Sequence, residues 1–409
     1  MKALVLCGGL PQVALIKELK SRGVETILAD MNDKVMARPY ADKFYKISVL
    51  DVPAIKALAI EEKVDFLITV CADQVLEVVS KIAEELELPW YIDAETAENV
   101  SNKAYMKRIF WENSVPTTKY VILDKFDESK IAHLTYPLIV KPVDAYSSRG
   151  VCRVNNTDET RTAFENAVNI SRSKTAVIEE FFEGDEITVD AYVEEGKAHV
   201  LCLSTLYKIG EDGKFIINRS RIPAEASEDV VRQIEDAAQK IADGFGLKNN
   251  PMLIQLLTDG KKINVVEFCA RTGGQIKFLM IKKFSGFDVI KAVVDLTMGE
   301  IPHVGELLKP EGVTVNEFIY CNPGELDHVE GFEELLADGT IAEYSVFKAP
   351  GVKFGEINAS GDRLAYFSVV GKTEEEMHRK HAEANARIRA ISTDGKDLIR
   401  HDLIEKYDA

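Results

Sequence analysis

The stretch "PLIVKPVDAYSSRGV", residues 137–151, decides how the rest of the chain is read. A short apolar strand ends on Lys141, Pro142 removes the next backbone donor, and a loop with Ser147, Ser148, Arg149 and Gly150 follows. Alone, it reads either as a surface turn that carries a lysine or as a grip on an anion. In favour of the grip, "VIEEFFEGDE" (177–186) places Glu179 and Glu180 on a strand, then Phe181 and Phe182, then Glu186. Those carboxylates are either an exposed strand edge in an acidic protein or an adenine pocket with Glu186 on a ribose. "PMLIQLLTDGKKINVVEFCAR" (251–271) then reads as a hairpin turning at Asp259–Gly260. Its two strands bring Gln255 and Glu267 to one face, where oxygen ligands could hold a hard cation. Arg271 follows, and Gly273 and Gly274 can aim backbone N–H groups at an anion.

Composition narrows the partners. The 409 residues exceed one ordinary core, and 46% hydrophobic with 29% charged residues describes a soluble globular protein. A net charge of −17 argues against nucleic acid and anionic membranes, so an anionic ligand must be held by a few locally placed cations. No apolar run reaches membrane-spanning length, and the opening "MKALVLCGGLPQ" is broken by glycines and a proline before an amphipathic helix, unlike a secretion signal. The six cysteines (7, 71, 152, 202, 269, 321) form no CxxC pair and read as reduced thiols of a cytoplasmic protein.

The expected fold is α/β followed by α+β. Residues 1–98 alternate strand and helix as a Rossmann-like parallel unit. Its first turn is "GGLPQ" rather than GxGxxG, so NAD binding is disfavoured although Asp30 ends the second strand as a ribose-binding acid would. Residues 99–308 hold the motifs above, with a small antiparallel unit at about 117–184 and an amphipathic helix marked by Val230, Ile234, Ala237, Ala238, Ile241 and Phe245. Residues 309–409 form a further α+β segment with strands "VTVNEFIYC" and "RLAYFSVVG" and the helix "TEEEMHRKHAEANARIRAI" (373–391). His378 and His381 on that helix read as solvated. Arg219 and Arg221 are either holders of a substrate carboxylate or part of a plain surface strand.

Taken in order, Lys103 in "NK", Lys141 in "IVKP", "SSRG", "EEFFEGDE", Gln255 and "VEFCAR" resemble the ATP-grasp superfamily, specifically its carboxylate–amine ligases. These are similar to L-amino acid ligases, biotin carboxylase and the carbamoyl-phosphate synthase large chain. The resemblance covers nearly the whole chain. It implies a Rossmann-like domain, an ATP-grasp domain with a lid, and a C-terminal domain. It places Lys103 and Lys141 on the ATP phosphates, under a loop from Tyr146 to Gly150 that includes Ser147 and Ser148. It places Glu179, Glu180 and Phe182 at the adenine and Glu186 at the ribose. Gln255 and Glu267 would face Mg2+, with Mn2+ as a substitute, and Lys141, Arg149 and Arg271 would be the catalytic cations. One departure stands out: Glu-x-Asn of the family is Glu267–Phe268–Cys269 here, and a neutral thiol is a poor magnesium ligand.

The implied reaction phosphorylates a small carboxylate to an acyl phosphate, which an amine, such as that of an amino acid, attacks to give an amide, ADP and phosphate. The enzyme would be cytoplasmic and homodimeric, without nucleic-acid or membrane partners. The alternatives are an ATP-dependent carboxylase that activates bicarbonate and a nucleotide-binding protein without turnover, for which Cys269 is the best argument.

Overall fold

The computed structural model describes residues 1–145, 149–209, 216–308 and 311–405. At the N-terminus, four parallel strands lie in the order Lys43–Tyr45, Glu25–Ala29, Lys2–Leu6 and Phe66–Ile68. Ala3 to Leu6 are fully buried, as strands sandwiched by helices require. Gly8, at the carboxyl end of the first strand, cannot be replaced without movement, because an added Cβ would lie 2.3 Å from a Val35 methyl.

A second, antiparallel sheet orders Tyr120–Leu123, Ala176–Glu180, Leu138–Pro142 and Cys152–Val154 under the helix Thr157–Ile170. Leu138, Val140, Phe164, Ala167 and Ile178 form its own small core. It lies within the segment read as a lid.

The third sheet organises the molecule. Its eight strands run Ile263–Cys269, Asn250–Thr258, Asp185–Glu194, Lys197–Lys208, Ile217–Ile222, Val313–Ile319, Ala365–Gly371 and Glu343–Val346, every pair antiparallel. It therefore continues across residue 308, joining the central and C-terminal segments through the pair Ile217–Ile222 and Val313–Ile319. Period-two alternation gives its central strands two faces. Ile187, Val189, Ile254, Leu256 and Val265 pack in one cluster with the helix Glu228–Gly244, whose Val230, Ile234, Ala237, Ala238 and Ile241 are fully buried. Burial of each large aliphatic side chain there stabilises by roughly 1.5–3 kcal/mol. Glu186, Thr188, Asp190 and Gln255 alternate with those residues, and a β-bulge between Val265 and Glu267 turns Glu267 onto the same face as Gln255. Ser227 caps the helix, and Phe245 sits at its C-cap, just outside.

Two expectations need correction in the C-terminal segment. The helix expected through Ile391 is Glu374–Arg387, and Arg389–Ser392 is a strand paired with Gly324–Glu330. Ile388 and Ala390 are buried on alternate positions, which an extended chain satisfies and a helix does not. His381, expected in solvent, is fully buried, with Nε2 3.0 Å from Glu317 Oε2. Met377, His381 and Ala384 form the buried stripe of an otherwise charged helix.

Candidate active site

Asn102 caps the helix Lys103–Glu112 by accepting from the backbone N–H groups of Ala104 and Tyr105, which starts the helix at Lys103. The Lys103 ammonium donates to the Ala145 carbonyl at 2.9 Å and pairs with Glu267 at 3.2 Å. Burial works against the Lys103 charge, and Glu267 more than offsets it, holding the lysine pKa above its ordinary value. Glu267 is desolvated too, yet Lys103 and Lys141 hold it below the usual carboxylate range.

Lys141 is the fourth residue of the strand Leu138–Pro142 and is 4% exposed. Its Nζ lies 2.5 Å from Glu179 Oε1, while Glu179 Oε2 meets Lys107 Nζ at 2.6 Å. Burial pushes the Glu179 carboxyl up, but the two ammoniums overcome it and hold its pKa down to about 2. Burial, helped by repulsion from Lys141, lowers the Lys107 pKa although Glu179 opposes that. Glu179, read as an adenine contact, thus sits between two lysines. Glu180 accepts from the Thr135 backbone N–H at 3.0 Å, and the Phe181 N–H donates to the Pro137 carbonyl. The Phe182 ring lies against Gly184, where an added Cβ would come 2.4 Å from the Thr258 carbonyl oxygen.

Glu186 pairs closely with Lys208 and accepts from the Gln255 amide nitrogen at 3.2 Å. Gln255 and Glu267 are direct neighbours across their antiparallel pair. With its nitrogen spent on Glu186, Gln255 keeps an amide oxygen for a cation. The two oxygen donors fit a hard ion whose remaining places come from water and phosphate, which is how magnesium is ordinarily held. Among the described residues no cluster of three or more His, Cys, Asp or Glu side chains is placed to cage a metal. The Cys269 thiol is hydrogen-bonded to Asp73, and burial pushes its pKa up, so it remains a neutral donor.

Arg271 makes a bidentate pair with Asp73 at 2.7 and 2.6 Å, which joins the N-terminal helix Asp73–Glu85 to the segment just after the strand Ile263–Cys269. Arg149 is exposed in a turn. Gly150 has φ +77°, and a Cβ there would come 2.7 Å from Ile170 and 3.0 Å from Pro142, so this position requires glycine. Tyr146, Ser147 and Ser148 lie outside the described residues.

The structure therefore brings Lys103, Lys141, Glu179, Gln255, Glu267 and Arg271 together. It also adds two residues that sequence reasoning missed. Lys107 stands one helical turn after Lys103, a spacing that could have revealed it. Asp73 is 198 residues from Arg271 and had no local signal. Arg219 and Arg221, candidates for a substrate carboxylate, are engaged by protein carboxylates: Glu405 at 3.2 Å for the first, Glu225 and Glu374 for the second.

Residues 134–278 match the ATP-grasp domain, and residues 317–391 match the L-amino acid ligase C-terminal domain 2. The chain is 27% identical over 256 residues to a formate-dependent phosphoribosylglycinamide formyltransferase of Ignicoccus hospitalis, a match that covers 60% of this chain and 63% of that protein, less than two thirds of its length. In fold it is similar to an L-amino acid ligase from Bacillus licheniformis, with a TM-score of 0.80 at 19% identity over 96% of this chain and 98% of that one. It is also similar to the biotin carboxylase domain of Hydrogenobacter thermophilus 2-oxoglutarate carboxylase in complex with MgADP and bicarbonate, with a TM-score of 0.79 at 16% identity over 98% and 91% of the two chains. The chain thus carries an ATP-grasp domain over residues 134–278, followed by an L-amino acid ligase C-terminal domain 2 over residues 317–391.

Proposed function

We propose that the protein is an ATP-dependent carboxylate–amine ligase that joins small substrates, at least one of them an amino acid. The observation that carries this reading is the junction of an ATP-grasp domain, with its converging lysines, to an L-amino acid ligase C-terminal domain on one continuous sheet. Lys103 and Lys141 bind the phosphates of ATP, and Arg271 faces the transferring phosphoryl group. Gln255 and Glu267 hold Mg2+, which when bound offsets charge on the phosphate oxygens. A substrate carboxylate oxygen takes the γ-phosphoryl group as ADP leaves. The amine nitrogen then displaces phosphate from the acyl carbon and gives up its proton. Fixed cations stabilise the charge in transit, so no protein nucleophile is required. Glu186 is on the ribose and Phe182 at the adenine.

Arg363 is the candidate for holding a substrate carboxylate. It is 6% exposed, and among the described residues its hydrogen-bond partners are all neutral: the Tyr320 hydroxyl at 2.9 Å, the Gln275 amide oxygen at 2.7 Å, the Ile217 carbonyl at 2.8 Å and the Ser360 hydroxyl at 3.4 Å. A buried guanidinium held only by neutral groups favours an anion beside it. Gln275 follows the Gly273–Gly274 loop directly, which puts this cation at the far end of the segment that begins with Arg271.

The test supplies ATP, Mg2+ and paired amino acids or small acids and follows phosphate release, with hydroxylamine added in place of the amine. A hydroxamate formed from acid and ATP alone supports the acyl phosphate. ADP release that needs bicarbonate and no other carboxylate would replace this reading with the carboxylase, which the likeness to a bicarbonate complex keeps in view. No described helix is long and apolar enough to cross a membrane. A homodimer in the cytoplasm completes the proposal, checked by sedimentation and cell fractionation.

A further inference from the structure

Among the described lysines, only Lys107 and Lys141 are buried, at 2% and 4% exposure, and both bind the same carboxylate. Lys141 has a ready assignment on ATP. Lys107 has none: it lies behind Glu179, where its Nζ also donates to Thr117 Oγ1 at 2.6 Å. The Thr117 hydroxyl in turn donates to the Val265 carbonyl at 3.2 Å, two residues before Glu267 on the same strand. Thr118 completes the shell by donating to Glu179 Oε2 at 3.2 Å. A contact chain therefore runs from Lys141 through Glu179, Lys107 and Thr117 to the strand that carries the metal ligand.

A buried lysine costs free energy unless it is paired, and a second lysine on one carboxylate is more than pairing requires. Two ammoniums and one carboxylate leave a net charge of +1, whereas Lys141 and Glu179 alone would sum to zero. From this geometry we infer that Lys107 is a positioning residue for phosphate binding and transfer. By occupying Oε2 it keeps Glu179 from neutralising Lys141, so that the strand end presents one uncompensated positive charge to the nucleotide phosphates. Glu179 is then the spacer that fixes the Lys141 ammonium. The same helix serves both carboxylates of the site, Lys103 on Glu267 and Lys107, one turn on, on Glu179.

The inference rests on the nucleotide reading, and the experiment separates the two. ATP is titrated against the full chain with Mg2+, and adenosine is measured by displacement of a fluorescent nucleotide. Lys107→Met brings the cluster to zero charge, and ATP affinity should fall about tenfold or more while adenosine affinity stays within about twofold. Lys107→Arg keeps the charge and should stay within about threefold of the unmodified protein for ATP. The double variant Lys107→Met/Glu179→Gln restores +1 and should recover most of the lost ATP affinity, with no lone buried carboxylate left to unfold it. A role in packing alone predicts the reverse, a double variant no better than Lys107→Met, and that result would overturn the inference. Equal losses for ATP and adenosine would overturn it as well. If the unmodified protein binds no ATP, the nucleotide reading fails and takes this inference with it, an outcome identified by that control before any variant is compared.

Discussion

Glu179 and Glu317 are two of the carboxylates buried among the described residues, and their surroundings give them opposite character. Glu179, in the lid sheet, lies between Lys107 and Lys141 and is held to a pKa of about 2. Glu317, in the C-terminal segment, is fully buried with His381 as its partner, and burial raises its pKa despite His381 and the nearby Arg219. The difference is the count and closeness of full positive charges. Two ammoniums within hydrogen-bonding distance outweigh desolvation, while an imidazole and a more distant guanidinium do not. The first cluster ends in Lys141, the cation proposed for the nucleotide phosphates. The second is sealed against Phe367, with ring centroids 5.6 Å apart, and ties a helix to a sheet.

The comparison breaks most visibly at the sealed pair. His381→Ala removes one partner of a buried interaction and opens a cavity, and should cost about 3–5 kcal/mol of stability in a denaturant melt while the folded fraction keeps its ATP affinity. If nucleotide binding fell as much as stability, the two clusters would not be separate in function. Lys141→Ala and Lys103→Ala should do the opposite. Each should lose about 2–4 kcal/mol of transition-state stabilisation, roughly two to three decades of turnover, with little change in the melting curve. Turnover retained in both would remove the site assignment.

Acid titration sharpens the contrast through its sign. The Glu179 pKa lies below its unfolded value, so the stability it contributes is present above pH 4.5 and is lost as pH falls toward about 2. Glu317 is shifted upward, so acidification through its folded pKa favours the native state. Glu179→Gln should therefore flatten the loss of stability below pH 4.5, and Glu317→Gln should remove a gain in stability that builds as pH falls toward 4.5, both read from unfolding curves collected across pH. Like responses in the two variants would contradict the assigned directions.

The smallest expected effect is at Cys269. Its neutral thiol is engaged by Asp73, so Cys269→Asn should preserve or modestly raise magnesium-dependent activity, while Glu267→Gln abolishes it. A bond from the sulfur to the metal, near 2.3 Å in a nucleotide complex, would reverse that view.

The chain announces its nucleotide site unusually early because the signals are local. A strand-ending lysine, a loop with glycine at φ +77° and a hairpin turning on Asp259–Gly260 depend on neighbours in sequence, where alternation and turn chemistry operate. The burial of His381 was also written locally, in the stripe Met377, His381 and Ala384, although the surrounding glutamates pointed to solvent. The strand Arg389–Ser392 was harder to find, since its helix-compatible residues become extended only through a partner some 60 residues away in the chain.

What the sequence by itself determined was the order of elements and the candidate residues of the site: the resemblance it carries proposes Lys103, Lys141 and Arg271 for the phosphates and Glu267 for the magnesium ion. What only the tertiary structure decided was how those charges are balanced. Asp73 reaches Arg271 across 198 residues, Lys107 shares Glu179 with Lys141 across two separate elements, and among the described residues Arg363 hydrogen-bonds to neutral partners while Arg219 and Arg221 meet carboxylates. Most of the secondary structure is set by interactions within a few residues, the strand Arg389–Ser392 excepted. Coulomb energy and desolvation depend on distance and burial in space, and neither exists until the chain has folded.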